Sequence, residues 1–246
     1  MKGVCLNGKV FSSKGCGDFI VVEHKNWRNV KVKFLDTGYE TVTRVDKVKT
    51  GSVRDKLMPN TFGVGILGDS GFSTEDRQHS VWADMLQRCY CPKYQTLKPS
   101  YIGCSVSESF KKYDNFHIWC ENQIGFDNDG WHLDKDILVK GNKTYSENLC
   151  VFVPHAINTA IVTSRSFRGK SLIGLRLDKR SNKFQARVNR YGKSFSLGYF
   201  QDELEAFSVY KQAKEDYLKE LAAKWEDQID PRVYQALNNY QVEMTD

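Results

Sequence analysis

The chain has 246 residues, 40% apolar and 13% aromatic, enough for one large core or roughly two to three small ones. No apolar run approaches the roughly eighteen residues a membrane span needs, and the opening stretch MKGVCLNGKVFSS lacks an apolar signal core. With a net charge of +6 and a pI near 8.8 the chain has a modest basic excess; these features together predict a cytoplasmic protein with no membrane partner, compatible with a polyanionic one.

Residues 1–58 predict short strands over Phe19 to Glu23, Val30 to Leu35 and Thr41 to Val45, with turns at Gly15-Cys-Gly17, Asn26 to Asn29 and Asp36-Thr-Gly38. The expectation is a small β-barrel of SH3-like size, a scaffold that often binds nucleic acid or peptides although the fold alone assigns no function; Lys25, Arg28, Lys31 and Lys33 give it a basic edge, which a solvated strand face explains equally well. Residues 59–73 are a glycine-rich linker. The pattern Gly63-Val-Gly65-Ile-Leu-Gly68 mimics a dinucleotide fingerprint but does not sit between a strand and a helix, so it is set aside.

Ser73 or Thr74 is placed to cap a helix running to about Cys89, with Trp82, Met85, Leu86 and Cys89 as its buried stripe. A second helical period covers Val106 to Ile124 through Phe110, Tyr113, Phe116 and Cys120, a packing face by composition. The seven cysteines are scattered with no Cys-x-x-Cys pair, which predicts free thiols in a reducing compartment; a zinc held by Cys89, Cys104, Cys120 and His117 is the alternative, and nothing in the spacing favours it.

Residues 131–158 are the most informative stretch. A strand, Trp131-His-Leu-Asp134, ends in acids at Asp134 and Asp136. A loop of glycine and asparagine follows, then a second strand over Leu149 to Val153, and Pro154 stands where a helix begins, leading to His155 and Asn158. Carboxylate and amide oxygens converging from such elements are the hard ligands a divalent cation on a phosphate requires. The segment resembles the HNH family of nucleases, the ββα-metal fold. The resemblance implies that Asp134 is the metal-binding aspartate, Asn148-Leu149 the opening of strand two, and Asn158 the helix asparagine completing the site, with Asp136 in reserve and one Mg²⁺ or Mn²⁺ as cofactor. It also implies a general base at position 135, where this chain has Lys135. A lysine at its ordinary pKa is protonated near pH 7 and cannot take a proton from water. The base would then have to be His132, two residues before Asp134, or His155, and Lys135 would neutralise phosphate charge. The competing reading is a structural hairpin with acids on its solvent face.

After a Ser/Arg-rich stretch from Thr163 to Lys170 comes a basic module. Between Arg165 and Lys193 ten cations stand against one acid, Asp178. Strands are predicted over Leu172 to Leu177, Phe184 to Asn189 and Phe195 to Phe200. A helix follows from Asp202, with Glu205 as capping-box partner and Leu204, Phe207, Tyr210, Ala213, Tyr217 and Leu221 as its buried stripe. Alternation turns Ile173, Leu175, Leu177, Ala186, Val188, Phe195 and Leu197 to the helix. It turns Arg176, Asp178, Gln185, Arg187, Asn189, Ser194 and Ser196 outwards, with Lys170, Lys179, Arg180, Lys183, Arg190 and Lys193 at the rim. Arg can read guanine and Gln or Asn can read adenine in a major groove, while rim cations meet phosphates. A solvated polar face is the plainer alternative.

The run Ile173-Gly-Leu-Arg176, Lys183-Phe-Gln-Ala-Arg187, Leu197-Gly-Tyr-Phe200, Glu205-Ala206, Tyr210 and Ala213 resembles the plant APETALA/ethylene-response-factor DNA-binding domain. That resemblance implies a sheet docked in the major groove through Arg176, Arg187, Asn189, Ser194 and Ser196. Phe184 and Ser196 replace family tryptophans, so base preference does not transfer. The order of the two segments is similar to phage-encoded, homing-type HNH endonucleases. Residues 229–246 predict one short helix near Val233 to Tyr240.

Taken together the expectation is an α+β chain: a small barrel over 1–58, a linker over 59–73, an HNH-like domain over 74–163, an APETALA-like domain over 170–228 and a tail over 229–246. Its expected activity is metal-dependent nicking of double-stranded DNA. Two alternatives stand beside it: a non-catalytic HNH scaffold binding DNA or a host protein, favoured by Lys135, and an RNA-binding protein.

Overall fold

The computed structural model describes residues 5–161 and 171–246. The Ser/Arg-rich stretch up to Lys170, with Arg165 and Arg168, lies outside the described residues. The fold is α+β, and the chain divides into two compact units, one of residues 1–120 and 143–147, the other of residues 121–142 and 148–246. The stretch expected to form the HNH-like domain thus contributes helices to the first unit and, apart from residues 143–147, its strand–loop–strand–helix segment to the second.

The first unit opens with β1 (Val10–Ser13), β2 (Gly17–Asn26), β3 (Asn29–Phe34) and β4 (Glu40–Thr43), an antiparallel meander paired in that order. Gly15, Gly17 and Gly38 make the tight turns in the left-handed region that glycine adopts without a Cβ penalty. Alternation places Phe19, Val21, Val30, Val32 and Phe34 in one core. Val45 does not extend β4 as its β-branched side chain suggested; it starts a short helix, α1 (Val45–Thr50), which ends at Gly51 in the left-handed conformation. The carbonyl of Gly51 accepts from the Lys14 amide at 2.8 Å, so α1 returns the chain from β4 to the end of β1.

The glycine-rich stretch that follows is packed rather than a free tether. A Cβ at Gly65 would come within 2.4 Å of Leu86, and one at Gly68 within 1.8 Å of Asp114. Helix α2 (Arg77–Tyr90) begins later than expected: Asp76 stands at its N-cap and neither Ser73 nor Thr74 caps it, because Ser73 Oγ instead accepts from the Glu75 amide one turn earlier. Its stripe of Trp82, Met85, Leu86 and Cys89 is buried as the spacing predicted, and Trp82 Nε1 donates to the Phe110 carbonyl at 2.7 Å. A short helix α3 (Pro92–Leu97) and strand β5 (Ser105–Val106) precede α4 (Tyr113–Glu121). The apolar repeat from Val106 therefore marks strand, turn and helix in succession, and Ile124, counted in that repeat, is 49% exposed.

In the second unit β6 (Trp131–Asp134) leads through a loop to the first unit's two-residue β7 (Thr144–Tyr145), which pairs in parallel with β5. The chain then forms β8 (Val151–Pro154) antiparallel to β6, and α5 (His155–Ile161) follows without a break. A second sheet comprises β9 (Leu175–Asp178), β10 (Lys183–Arg190) and β11 (Lys193–Phe200), ordered β11-β10-β9. Helix α6 (Glu203–Trp225) packs on it, and α7 (Pro231–Asn238) packs on α6. The Asp202 carboxylate accepts the Glu205 amide at 3.0 Å, the N-terminal half of the predicted capping box. The core between sheet and helix contains Ile173, Leu175, Ala186, Val188, Ala206, Phe207 and Tyr210.

Three residues assigned to that core are exposed instead: Leu177 (40%), Phe195 (48%) and Leu204 (56%). Leu177 and Phe195 lie on the two edge strands, next to the turns that join those strands to β10. Leu204 lies in the first turn of α6, where Ala206 and Phe207 take the buried positions.

Candidate functional site

The hairpin places the six residues expected at a metal centre on three elements. Asp134 closes β6 opposite Val151, whereas Trp131 faces Pro154 at the other end, where α5 departs. Asp134 is only 8% exposed, and its Oδ1 accepts the amides of Asp136 (2.9 Å) and Ile137 (2.7 Å). The carboxylate thus folds the chain into an Asx-type turn. Burial, and then the neighbouring Asp136 carboxylate, push Asp134 up to about 6, against the pull of the two amides.

Lys135, at the position where a base was expected, is 7% exposed with its ammonium 3.0 Å from Asp136 Oδ2. Its carbonyl accepts from the Asn142 amide group at 2.6 Å, which ties the far side of the loop back to the acids. Asn158 is half-buried on the first turns of α5 and makes no hydrogen bond with Asp134 or Asp136. His132 and His155 are brought together instead: both are exposed, and His155 Nδ1 lies 3.3 Å from His132 Nε2. The two candidate bases therefore lie within hydrogen-bonding distance of each other, with the donor set by the tautomer.

This donor set does not make an open site for Mg²⁺ or Mn²⁺. The one carboxylate in the metal-binding position is turned inward to hold its own turn, and an ammonium already balances Asp136. A hard cation needs several oxygens facing one point with room for water. Among the described residues no group of three or more His, Cys, Asp or Glu side chains is placed to hold a metal ion, the set of Cys89, Cys104, Cys120 and His117 included.

The three-stranded sheet provides a different kind of surface. Pairing aligns Arg176 with Gln185 and Gln185 with Tyr199; Arg187 faces Ser196, and Asn189 faces Ser194. Cross-strand partners point to the same side of a sheet, so these side chains form three rows on the side away from α6. Arg176, Arg187, Asn189, Ser194, Ser196 and Tyr199 are exposed, and Gln185 Nε2 donates to Ser196 Oγ at 3.2 Å. Tyr199 was not expected here, since uninterrupted alternation from Ser194 and Ser196 sends it to the helix. A bulge intervenes: Ala186 pairs with Gly198 and Arg187 with Ser196, leaving Leu197 as the extra residue. The only sequence signal for this shift is Gly198, whose φ of 137° suits it to a distorted strand.

Of the rim cations, Lys179, Arg180, Lys183 and Lys193 form no ion pair with a described residue, and neither do Arg176 and Arg187 on the face itself. Arg190 differs: its guanidinium pairs with Glu220 of α6 and lies 5.3 Å from the centre of the Tyr217 ring, so its charge serves to hold the hairpin to the helix. Asp178, counted with the outward residues, is turned to its own loop, accepting from Ser181 Oγ at 2.7 Å and from the Arg180 amide at 3.2 Å. The Ser181 bond, with the Arg180 amide, holds its carboxyl below the usual aspartate range.

The tip of the sheet is a two-residue turn at Tyr191-Gly192, with φ of 50° and 74°, the geometry that matches the twist of antiparallel strands. The Tyr191 amide donates to Tyr217 Oη and Tyr191 Oη donates to Glu220, both at 2.9 Å. At the other end Gly174 (φ 77°) lies so close to α6 that a Cβ would be 2.1 Å from the Tyr210 ring. Compared with protein families, with curated proteins and with solved structures, the chain matches none.

Proposed function

We propose that this protein binds double-stranded DNA through the open face of the β9–β10–β11 sheet. The observation that carries the reading is the triple row of Arg176, Gln185 and Tyr199, Arg187 and Ser196, Asn189 and Ser194: exposed except for the half-buried Gln185, without an acid among them, and with both arginines free of ion pairs to described residues. A solvated sheet face normally interleaves carboxylates with its cations. Here the chemistry is that of base-edge readers, with Arg suited to guanine and Asn or Gln to adenine. Lys179, Arg180, Lys183 and Lys193 supply phosphate contacts at the edges.

The hairpin supports the non-catalytic version of this reading. Cleavage by the HNH route needs an exposed metal-binding carboxylate and a base beside it. Asp134 caps its own turn, and Lys135 balances Asp136. The hairpin then acts as a structural element in the DNA-binding unit.

The test is fluorescence anisotropy on duplex DNA with selection of a preferred sequence. Arg187→Ala is expected to cost about 1–3 kcal/mol on that sequence, roughly 5- to 150-fold in affinity, and to relax the preference at one base pair. Binding that is unaffected by both Arg176→Ala and Arg187→Ala would show that this face is not the reader. Metal-dependent nicking of plasmid DNA by the wild type, abolished in Asp134→Ala, would restore the catalytic reading.

A further inference from the structure

We infer that the first unit carries a second DNA-backbone contact, a lysine-bearing lobe around α3, so that the chain grips duplex DNA with both of its units. The inference rests on the DNA-binding reading above. Between Asp84 and Glu108 there is no acidic residue, while Arg88, Lys93 and Lys98 fall within that interval. Lys93 and Lys98 are exposed and form no ion pair with a described residue. Lys143 joins them from another part of the chain, donating to the Ser100 carbonyl at 2.7 Å. A further positive charge brought to a segment that has no acids in its sequence, and forming no ion pair with a described residue, is favourable against a polyanion.

The lobe is also held in shape. Gln95 Nε2 donates to the carbonyl of Cys89 at 2.7 Å and of Arg88 at 3.2 Å, which fastens α3 to the end of α2. Tyr90 Oη accepts the Val106 amide at 3.1 Å. The Tyr94 and Tyr101 rings are 6.0 Å apart, and the Arg88 guanidinium stands 5.7 Å from the centre of the Tyr101 ring. The lysines therefore project from a fixed platform. Two large aliphatic side chains on it, Leu97 at 77% and Ile102 at 59%, are exposed, in a segment whose charged residues are all cations. Charge is what this surface offers, and the partner it complements is the phosphate backbone, bound without regard to sequence.

The experiment uses the full chain and a fluorescent duplex of arbitrary sequence, titrated at several NaCl concentrations. Removing one lysine–phosphate interaction lowers the steepness of the log affinity against log salt line by about 0.9. The triple variant Lys93→Ala, Lys98→Ala, Lys143→Ala is expected to bind more weakly and to flatten the line by about 2–3, while the matching Lys→Arg triple keeps the wild-type slope. Circular dichroism confirms that both variants are folded; the substituted side chains are all exposed. A wild-type slope in the alanine triple, with Arg176→Ala/Arg187→Ala still weakening binding, overturns the lobe alone. Absence of any duplex binding by the wild type overturns both the lobe and the reading beneath it. A slope change seen only with an RNA duplex also overturns the assignment to DNA.

Discussion

Replacing Asp134 by asparagine separates a turn-forming role from a metal-binding one. Raising this carboxyl from 3.8 to about 6 corresponds to about 3 kcal/mol of preference for the protonated form in the folded state. The folded-state value lies above the unfolded one, so the contribution to stability is fully present below about pH 4. It is lost as pH rises through about 6, because the native protein must then carry a buried charge beside Asp136. Asparagine keeps the Oδ1 that accepts the Asp136 and Ile137 amides and removes the charge. Asp134→Asn is therefore expected to stabilise the protein by up to about 3 kcal/mol at about pH 7.5 and to leave it nearly unchanged at about pH 4. Urea unfolding of both proteins at the two pH values measures this. A variant less stable than the wild type near neutrality would refute the reasoning, since it would mean that the negative charge itself is required there.

Two further expectations concern packing. Gly174→Ala forces a side chain into the Tyr210 ring in a left-handed conformation. It should destabilise the second unit by about 2–5 kcal/mol, the sum of a backbone cost and an overpacking cost, read by thermal unfolding. Lys135→His removes the ammonium that balances the Asp136 carboxylate, itself 41% exposed. It should cost about 1–3 kcal/mol, less than a fully buried pair because of that exposure, and produce no nicking of plasmid DNA with Mg²⁺ or Mn²⁺. Nicking gained by this variant would mean that position 135 reaches substrate.

The elements of the second unit were legible in the sequence because each carries its own period. The alternation Trp131-His-Leu-Asp134, the proline before His155, and the pattern of Ala186 and Val188 against Arg187 and Asn189 all place strand, helix and face where the structure has them. What the site does with those positions was not legible. Whether a carboxylate points outward to a cation or inward to two amides depends on the backbone path of the loop that follows it, and residue types alone do not show that Asn142 ties that loop to the Lys135 carbonyl. Arg190 reads as a rim cation by position, yet Glu220 and Tyr217, well along α6, claim it. In the first unit α1 is not legible because the β-branched Val45 continues the strand-like run from Thr41. The period from Val106 to Ile124 was over-read because aromatic residues in a turn and in a helix happened to fall three or four apart.

The extra residue at Leu197 gives β11 two phases. From Lys193 to Ser196 the even-numbered side chains face outward; after it, Tyr199 does, and Phe200 turns to the core. The tip at Tyr191-Gly192, anchored to Tyr217 and Glu220, fixes the first phase, and the pairing with β10 fixes the second. Were the strand regular with that residue kept, alternation would turn Tyr199 to the core and Phe200 outward; deleting Leu197 itself would instead leave one unbroken phase that displays the same side chains. The composition of the open face is thus set by one irregular backbone position rather than by the identity of the residues displayed on it.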